Sequence, residues 1–436
     1  MLLKRTLTSA HFGPIVTRST TVTRTIVVGA GMTGLSTAWH LQEYGHDVEV
    51  LERIDVAAGS SWGNAGWLAP GKTIPLSNSS LWAYGPTALF DKHAALDVPV
   101  RFEPKLWRFC ANFMAHATGR AWDKTMAGLT KADLAALAAF DELETGGVKA
   151  TTHEGPFIIG FENESKASSF LKEVEGAARH GQDIPFEQIT LDDARTDAPM
   201  LTEKVGATYR MGGQRFIEPG PYCQAIADSI VERGGKVTTG VEVAEVTSTR
   251  KPAVKLSTGE WLQADNVVLA TGAWLPNLAK SLGVTTLIQA GRGYSFSVET
   301  DQPATCPVYL PDPKIACTPY QGRFRIAGTM EFRGPDEPFQ PGRVASMIHQ
   351  TKPFFRGIDW DDRQDEWVGS RPVTPDGLPL VGATKVPNVY TNGGHGMWGI
   401  ILGPLSGKML AKQIETGEVD ETIKPFDPLR GPFGGL

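Results

Sequence analysis

Residues 25–53 read TIVVGAGMTGLSTAWHLQEYGHDVEVLER, and their order decides the fold. Thr25-Ile26-Val27-Val28 is the β-branched, apolar run of a strand buried on both faces. It passes directly into Gly29-Ala30-Gly31-Met32-Thr33-Gly34, a G-x-G-x-x-G turn. Leu35, Ala38, Trp39 and Leu41 then recur at helical spacing up to a stop at Gly45, and residues 48–51 form a second strand before Glu52. This is the order of a dinucleotide-binding βαβ unit. Gly29 permits the tight turn, Gly31 lets backbone approach a pyrophosphate, and Gly34 lets helix and strand pack closely. The pyrophosphate is expected on the first helical turn around Met32, where unpaired N–H groups and the helix dipole favour negative charge. Glu52, followed by Arg53, lies 18 residues beyond Gly34, where an acid holds the ribose hydroxyls. An acid there disfavours a 2′-phosphate, so FAD or NAD is expected rather than NADP.

The chain of 436 residues is too long for one core and implies two or three domains. A net charge of −6 gives no electrostatic footprint for nucleic acid. No apolar run approaches the roughly 18 residues of a membrane-spanning helix. A cytoplasmic location is expected, with peripheral attachment at the inner membrane left open. The four cysteines, Cys110, Cys223, Cys306 and Cys317, show neither C-x-x-C pairing nor zinc spacing, so reduced thiols and no metal are expected. Residues 1–24 contain Lys4, Arg5, Arg18 and Arg24 and no acid, a composition shared by transit peptides and disordered leaders. They are read as a disordered leader outside the fold.

After Glu52, the stretch Ala58-Gly59-Ser60-Ser61-Trp62-Gly63-Asn64-Ala65-Gly66-Trp67-Leu68-Ala69-Pro70 is dense in small residues. Behind a βαβ unit it reads as a ligand loop. Residues 75–125, rich in Pro, Trp and Phe, read as irregular cover over a site. The spacing predicts helices over 122–146, 164–180, from Pro219 to Arg233, over 343–356 and up to Thr416, and a short one opening at Leu191. Strands are expected at 155–160, 236–239, 241–248, 254–257 and 261–264, with Thr258-Gly259 as the turn of the last pair. Asn266-Val267-Val268-Leu269-Ala270-Thr271-Gly272-Ala273-Trp274 is a second buried strand ending in a small-residue turn, the usual return to the cofactor in a doubly wound sheet. Residues 287–333 read as a β-rich block. Two Gly/Pro-rich motifs close the chain, residues 367–379 around Arg371 and residues 392–399 around His395.

The stretches GAGMTG, LER, GSSWGNAGWLAPG, EPGPY, ATGAW, RGYS, GSRPVTPDGLP and GGHGMWG, in this order from 25 to about 418, resemble the FAD-dependent D-amino acid oxidase superfamily. They look most like its bacterial D-amino acid dehydrogenase and glycine oxidase branch. The resemblance implies an α/β chain in which a Rossmann-type FAD-binding domain is interrupted by an α+β substrate domain with a mainly antiparallel sheet. Residues 25–85, 150–160, 215–286 and 360–425 would form the first, residues 86–149, 161–214 and 287–359 the second, and residues 426–436 a tail.

The resemblance also assigns roles. Glu52 would bind the adenosine ribose and Val243 would offer backbone to the adenine. Ser60, Asn64, Ala65 and Gly66 would line the flavin ring, and Thr271-Gly272, followed by Trp274, would return to the pyrophosphate. Gly394-His395-Gly396-Met397 would set N–H groups and a helix end against the ring's pyrimidine side, a preorganised field that favours the reduced anion. Arg371 would clamp the substrate carboxylate, since a planar guanidinium pairs two oxygens and fixes orientation. His395 is read as positioning rather than as a base, because hydride loss from a neutral amine requires no protein base. Tyr294 and Tyr320 are candidate pocket residues that also fit a core. Relatives with covalent flavin carry a histidine after a G-S-T-W-like motif, where this chain has Gly63, so non-covalent FAD is expected.

The implied reaction is oxidative deamination of a D-amino acid, or of a small imino or N-substituted amino acid, to a 2-oxo acid and ammonia. Electrons would pass to a quinone or another acceptor, or to dioxygen. Two alternatives stand beside it. One is a glycine-, sarcosine- or proline-type oxidase, its pocket narrowed by Trp62, Trp67, Trp274 and Trp398. The other is a flavin-binding subunit without amine chemistry of its own.

Overall fold

The computed structural model describes residues 22–79, 81–82, 94–182, 184–248 and 250–433. The leader expected over 1–24 lies almost wholly outside the described residues, and so does part of the irregular cover expected over 75–125.

The opening stretch folds as a βαβ unit. Strands Arg24–Val28 and Asp47–Leu51 pair in parallel with Thr25 opposite Val48, joined by helix Met32–Glu43. They belong to a six-stranded sheet in the order Lys236–Thr238, Asp47–Leu51, Arg24–Val28, Asn266–Leu269, Val389–Gly393, Leu380–Ala383. All neighbours are parallel except the last pair. Ile26, Val27, Val267, Val268 and Leu269 are fully buried, as a strand covered on both faces requires. Helix Met32–Glu43 lies against helix Gly399–Thr416. A Cβ at Gly403 would sit 2.6 Å from Met32, and one at Gly407 would sit 2.7 Å from the Thr37 nitrogen. These two glycines let the helices approach backbone to backbone, which brings both N-termini to one place.

The second layer is a nine-stranded sheet. Its order is Ile358–Val373, Gln289–Thr300, Arg323–Phe332, Ile315–Tyr320, Val308–Leu310, Phe157–Phe161, Ala207–Met211, Phe186–Ile189, with Leu96–Asp97 added beside Arg323–Phe332. It is antiparallel except at Val308–Leu310 with Phe157–Phe161 and at the Leu96–Asp97 addition. Strand Gln289–Thr300 shows the two-residue period of a sheet with unlike faces. Tyr294, Phe296 and Val298 enter an apolar core with Val344 and Met347 of helix Pro341–Thr351. Gly291, Gly293, Ser295 and Ser297 alternate with them and take the opposite face.

Several expectations need correction. Strand Phe157–Phe161, assigned with the nucleotide-binding segments, pairs with Ala207–Met211 and Val308–Leu310 in the large sheet, because all five of its residues are apolar or small and buried. Residues within 75–125 include helix Pro104–Ala115, which buries Leu106, Phe109 and Phe113, and the start of the 27-residue helix Gly119–Thr145. That long helix, assigned to the substrate domain, packs Leu129, Phe140 and Leu143 into the core formed with helices Met32–Glu43 and Gly399–Thr416. Arg371 stands in strand Ile358–Val373, not in a loop. The strand is at the sheet edge, where Pro372 leaves no ladder bond unmade. The tail expected from 426 is held in place: Arg430 reaches the buried Asp376 carboxylate at 2.7 and 3.0 Å. The four cysteines are unpaired, and three are buried.

Candidate functional site

A continuous cavity of about 470 Å³ runs between the two sheets. At one end it is bounded by Gly29, Gly31, Met32 and Thr33, by Glu52 and Arg53, and by residues 241–244. Its middle is lined by Ser60, Ser61 and Asn64, and by Thr271, Gly272 and Trp274. At the far end stand Arg371, Pro372, His395, Gly396, Met397 and Gly399.

The polar groups at the first end suit a dinucleotide. Helix Met32–Glu43 begins at Gly31, which has no side chain to cap it, and holds no acid in its first turn, so beyond the Met32 N–H its positive end is available to an anion. Ser61 accepts the Met32 N–H at 3.2 Å and ties the following loop to that turn. A Cβ on Gly29 would come within 2.5 Å of the Ala270 carbonyl, and one on Gly34 would overlap the Gly29 carbonyl. The Glu52 carboxylate accepts the N–H groups of Ala30 at 2.9 Å and Ile54 at 3.0 Å, which fixes it at the cavity wall. The buried Thr271 hydroxyl, also on the wall, has no partner among the described residues. A helix start with free N–H groups, a carboxylate fixed at the wall and a buried hydroxyl without a partner among the described residues, all along one channel, fit FAD.

A latch closes the channel from outside. Asp336 accepts the Trp274 indole N–H at 2.9 and 3.0 Å and pairs with Arg53 at 3.2 Å. Arg53 in turn lies 3.9 Å from the centre of the Trp274 ring. Asp336 follows the strand Arg323–Phe332, so the latch joins the large sheet to the end of the βαβ unit.

At the far end Arg371 is partly buried, and among the described residues no carboxylate pairs with it. Its Nη1 donates to the Thr329 carbonyl at 3.1 Å. Desolvation lowers its pKa to about 10, which leaves it cationic at neutral pH. Thr329 has φ +54°, a strained value for a β-branched residue, and its buried hydroxyl has no partner among the described residues. His395 is buried and shares a 3.2 Å hydrogen bond with the Ser406 hydroxyl. Burial pushes its pKa down to about 3, so the ring is neutral. Helix Gly399–Thr416 points its uncapped N-terminus at this end of the cavity.

The structure thus gathers most of the residues singled out by sequence: Gly29, Gly31, Met32, Glu52, Arg53, Ser60, Asn64, Val243, Thr271, Gly272, Trp274, Arg371, His395, Gly396 and Met397 line one cavity. Gly34, Ala65, Gly66 and Gly394 do not. Gly34 serves the helix–strand contact, and Gly66, at φ +77°, turns the chain against Ile217. Gly394, at φ +70°, packs on Leu380. Tyr294 points to the back of the large sheet, bonded to Glu331 at 2.5 Å, and Tyr320 packs on Arg325. Of the four tryptophans, Trp274 alone lines the cavity among the described residues. Sequence reasoning missed Asp336, Thr329 and Gly293. The RGYS motif held the signal for Gly293, since a glycine flanked by bulky residues in a strand marks a close approach.

Residues 24–413 match the family DAO, FAD dependent oxidoreductase. The D-amino acid dehydrogenase of Methylobacterium sp. (strain 4-46) is 28% identical over 410 residues, 90% of this chain and 95% of that protein. The D-amino acid dehydrogenase of Vibrio vulnificus (strain YJ016) is 27% identical over 425 residues, 93% of this chain and 99% of that protein. Among solved structures, glycine oxidase from Geobacillus kaustophilus superposes with a TM-score of 0.71 at 21% identity, covering 94% of this chain and 99% of its own. L-proline dehydrogenase from P. horikoshii gives 0.62 at 17% identity, covering 94% of this chain and 97% of its own. The structural likenesses are likenesses of fold.

Proposed function

We infer the reaction from one premise: the chain belongs to the DAO family of FAD-dependent oxidoreductases. It is an FAD-dependent enzyme of the amino acid dehydrogenase and oxidase group, acting on CH–NH2. Within that group we propose oxidative deamination of a D-amino acid, or of a small imino or N-substituted amino acid. Arg371 carries this reading, as a cation at the cavity end with no acid among the described residues to neutralise it.

In this reading the Arg371 guanidinium takes the substrate carboxylate in two parallel charge-assisted hydrogen bonds. That contact orients the α-carbon toward the cavity. Bound FAD supplies the two-electron acceptor for the α-carbon hydride. Glu52, the first turn at Met32, Val243 and Thr271 would hold the adenosine and pyrophosphate half, and Ser60, Asn64, Gly396 and Met397 would line the space for the ring. The N-terminus of helix Gly399–Thr416 would favour negative charge on a reduced ring bound at this end of the cavity. His395, neutral and bonded to Ser406, fixes the start of that helix and moves no proton. The substrate amine enters neutral, and the imino product hydrolyses to a 2-oxo acid and ammonia.

The sequence relatives are named dehydrogenases, which supports a quinone or another acceptor over dioxygen. Gly63 stands where relatives with covalent flavin carry a histidine, which supports non-covalent FAD. No helix of the described residues is long and apolar enough to cross a membrane. We place the enzyme in the cytoplasm, with peripheral contact at the inner membrane as its route to a quinone.

Anaerobic mixing of the holoenzyme with D-amino acids, their L-enantiomers, imino acids and N-methylglycine tests the reading. Bleaching of the flavin by a D-amino or imino acid is expected. Failure of every member of the panel would remove it, and peroxide formation with dioxygen as sole acceptor would shift it to an oxidase.

A further inference from the structure

The segment 58–67 lies between the cavity and the large sheet. Ser60, Ser61 and Asn64 take the cavity side. On the other side, side chains from three adjacent strands hold its carbonyls. Arg325 Nη1 donates to the Trp62 carbonyl at 3.0 Å, Ser295 Oγ to that of Gly63 at 2.8 Å, and Thr318 Oγ1 to that of Ala65 at 2.7 Å. Thr318 also accepts the Trp67 indole N–H at 2.8 Å, closing a ring between loop and sheet.

The three donors share a face. Thr318 stands opposite Arg325, Arg325 opposite Ser297, and Ser295 is two residues along the same strand. Gly291 and Gly293 continue that face to Arg371, which stands opposite Gly291. Trp367, opposite Ser295, fills the space that side chains at Gly63 and Gly369 would need, and so wedges the loop against the sheet. The same strip of sheet therefore carries both the loop beside the cofactor and the arginine at the substrate end.

Arg325 is an unusual choice for such a strut. It is 1% exposed, lies 3.6 Å from the Tyr320 ring centre and 5.0 Å from that of Trp62, and its nearest carboxylate, Asp365, is 3.9 Å away. Among the described residues its Nε and Nη2 have no well-formed hydrogen bond, and its remaining polar neighbours are the Tyr320 hydroxyl and the Asp365 and Glu218 carboxylates. Burying a cation this poorly paired is unfavourable. Anchoring one carbonyl is a task a neutral donor could perform, as Ser295 and Thr318 do. The cation adds a positive field behind the loop.

We propose that Arg325, Ser295 and Thr318 are positioning residues that hold segment 58–67 by its carbonyls, and so set the flavin's position and environment relative to the substrate anchored by Arg371. This rests on the reading of the cavity as an amino acid oxidising site. The three side chains do not line that cavity, so substitutions leave the carboxylate contact in place.

The test uses the holoenzyme of Ser295→Ala, Thr318→Val and their double variant, with Arg325→Met and Arg325→Lys as a pair. Loss of one neutral hydrogen bond is worth a factor of about 2–12. The double variant is expected to reduce its flavin about 10-fold or more slowly at saturating substrate, with KM within about two-fold of wild type. Its oxidised flavin absorption and fluorescence shift, because the ring environment changes. Arg325→Met shows the same pattern with a lower flavin potential, and Arg325→Lys restores the potential. If Arg325→Met fails to fold, the two hydroxyl variants still decide. Unchanged spectra with an unchanged limiting rate overturn the proposal, and so does a rise in KM alone. The spectra need no substrate, so a wild-type flavin that no amino acid reduces would refute the substrate reading while leaving the clamp separately testable.

Discussion

Gly293 leaves the space that the Arg371 guanidinium occupies: a Cβ there would overlap its Cζ and both terminal nitrogens. The two residues lie on neighbouring antiparallel strands, Gln289–Thr300 and Ile358–Val373. Arg371 therefore lies across the sheet over a strip without side chains, its Nη1 tied to the Thr329 carbonyl. Gly293→Ala should displace the guanidinium while leaving the charge in the protein. We expect KM for the amino acid to rise about 10- to 100-fold, the range of a charge-assisted pair weakened rather than lost, with FAD fully retained. Steady-state kinetics beside flavin-to-protein absorbance ratios measure both, and an unchanged KM would argue that Arg371 does not read the substrate.

The opposite end of the cavity should behave independently. Glu52→Ala removes the carboxylate that accepts the Ala30 and Ile54 N–H groups, and with it the proposed ribose contact. FAD should bind about 10- to 100-fold more weakly, while the order of preference among substrates stays the same. Titration of apoenzyme with FAD gives the first quantity and a substrate panel at saturating FAD the second. In both proteins, acid precipitation should leave the flavin in the supernatant.

The latch between the sheets is exposed, with the Asp336 side chain 66% accessible, so its effect should be small. An exposed ion pair contributes about 0.2–1 kcal/mol. Asp336→Ala should release FAD up to about five-fold faster, and the difference should shrink at high salt. A release rate identical to wild type at low salt would show that the latch does not restrain the cofactor.

Two buried histidines tie stability to acid. Burial holds His395 near 3, and burial with the nearby Lys408 and Arg233 holds His40 near 3. In the unfolded chain both titrate near 6.5, so between about 3 and 6.5 the unfolded state binds more protons. The stability present above about 6.5 is therefore lost as pH falls toward 3, by a few kcal/mol per site at most. Urea midpoints against pH should show this slope, and His40→Gln should flatten it. His395→Asn should leave the shape of the kcat/KM profile between about pH 6 and 9 unchanged; disappearance of a limb in that variant would reinstate His395 as a base.

How much of this could be read from sequence depended on the range of the interactions. The βαβ unit was legible because strand, turn, helix and acid are set by neighbours within 25–53. Arg371 was legible through its motif, yet its strand was not, because Gly369 and Pro372 read as a loop when the edge position that tolerates them is unknown. Helix Pro104–Ala115 was hidden by the Pro- and Trp-rich residues around it, although Leu106, Phe109 and Phe113 have helical spacing. Asp336, Thr329 and Arg325 act through contacts between distant strands and loops. Nothing local distinguishes them, so pairing register had to be known first.

The central claim is that Arg371 holds the carboxylate of the amino acid that reduces the flavin. Rapid anaerobic mixing of wild type and Arg371→Leu with the best substrate of the panel tests it most directly. Removing one partner of a buried charge pair costs about 3–5 kcal/mol, so the apparent Kd from the reduction rates should rise at least about 100-fold, with the oxidised flavin spectrum intact. An apparent Kd equal to that of wild type would contradict the account.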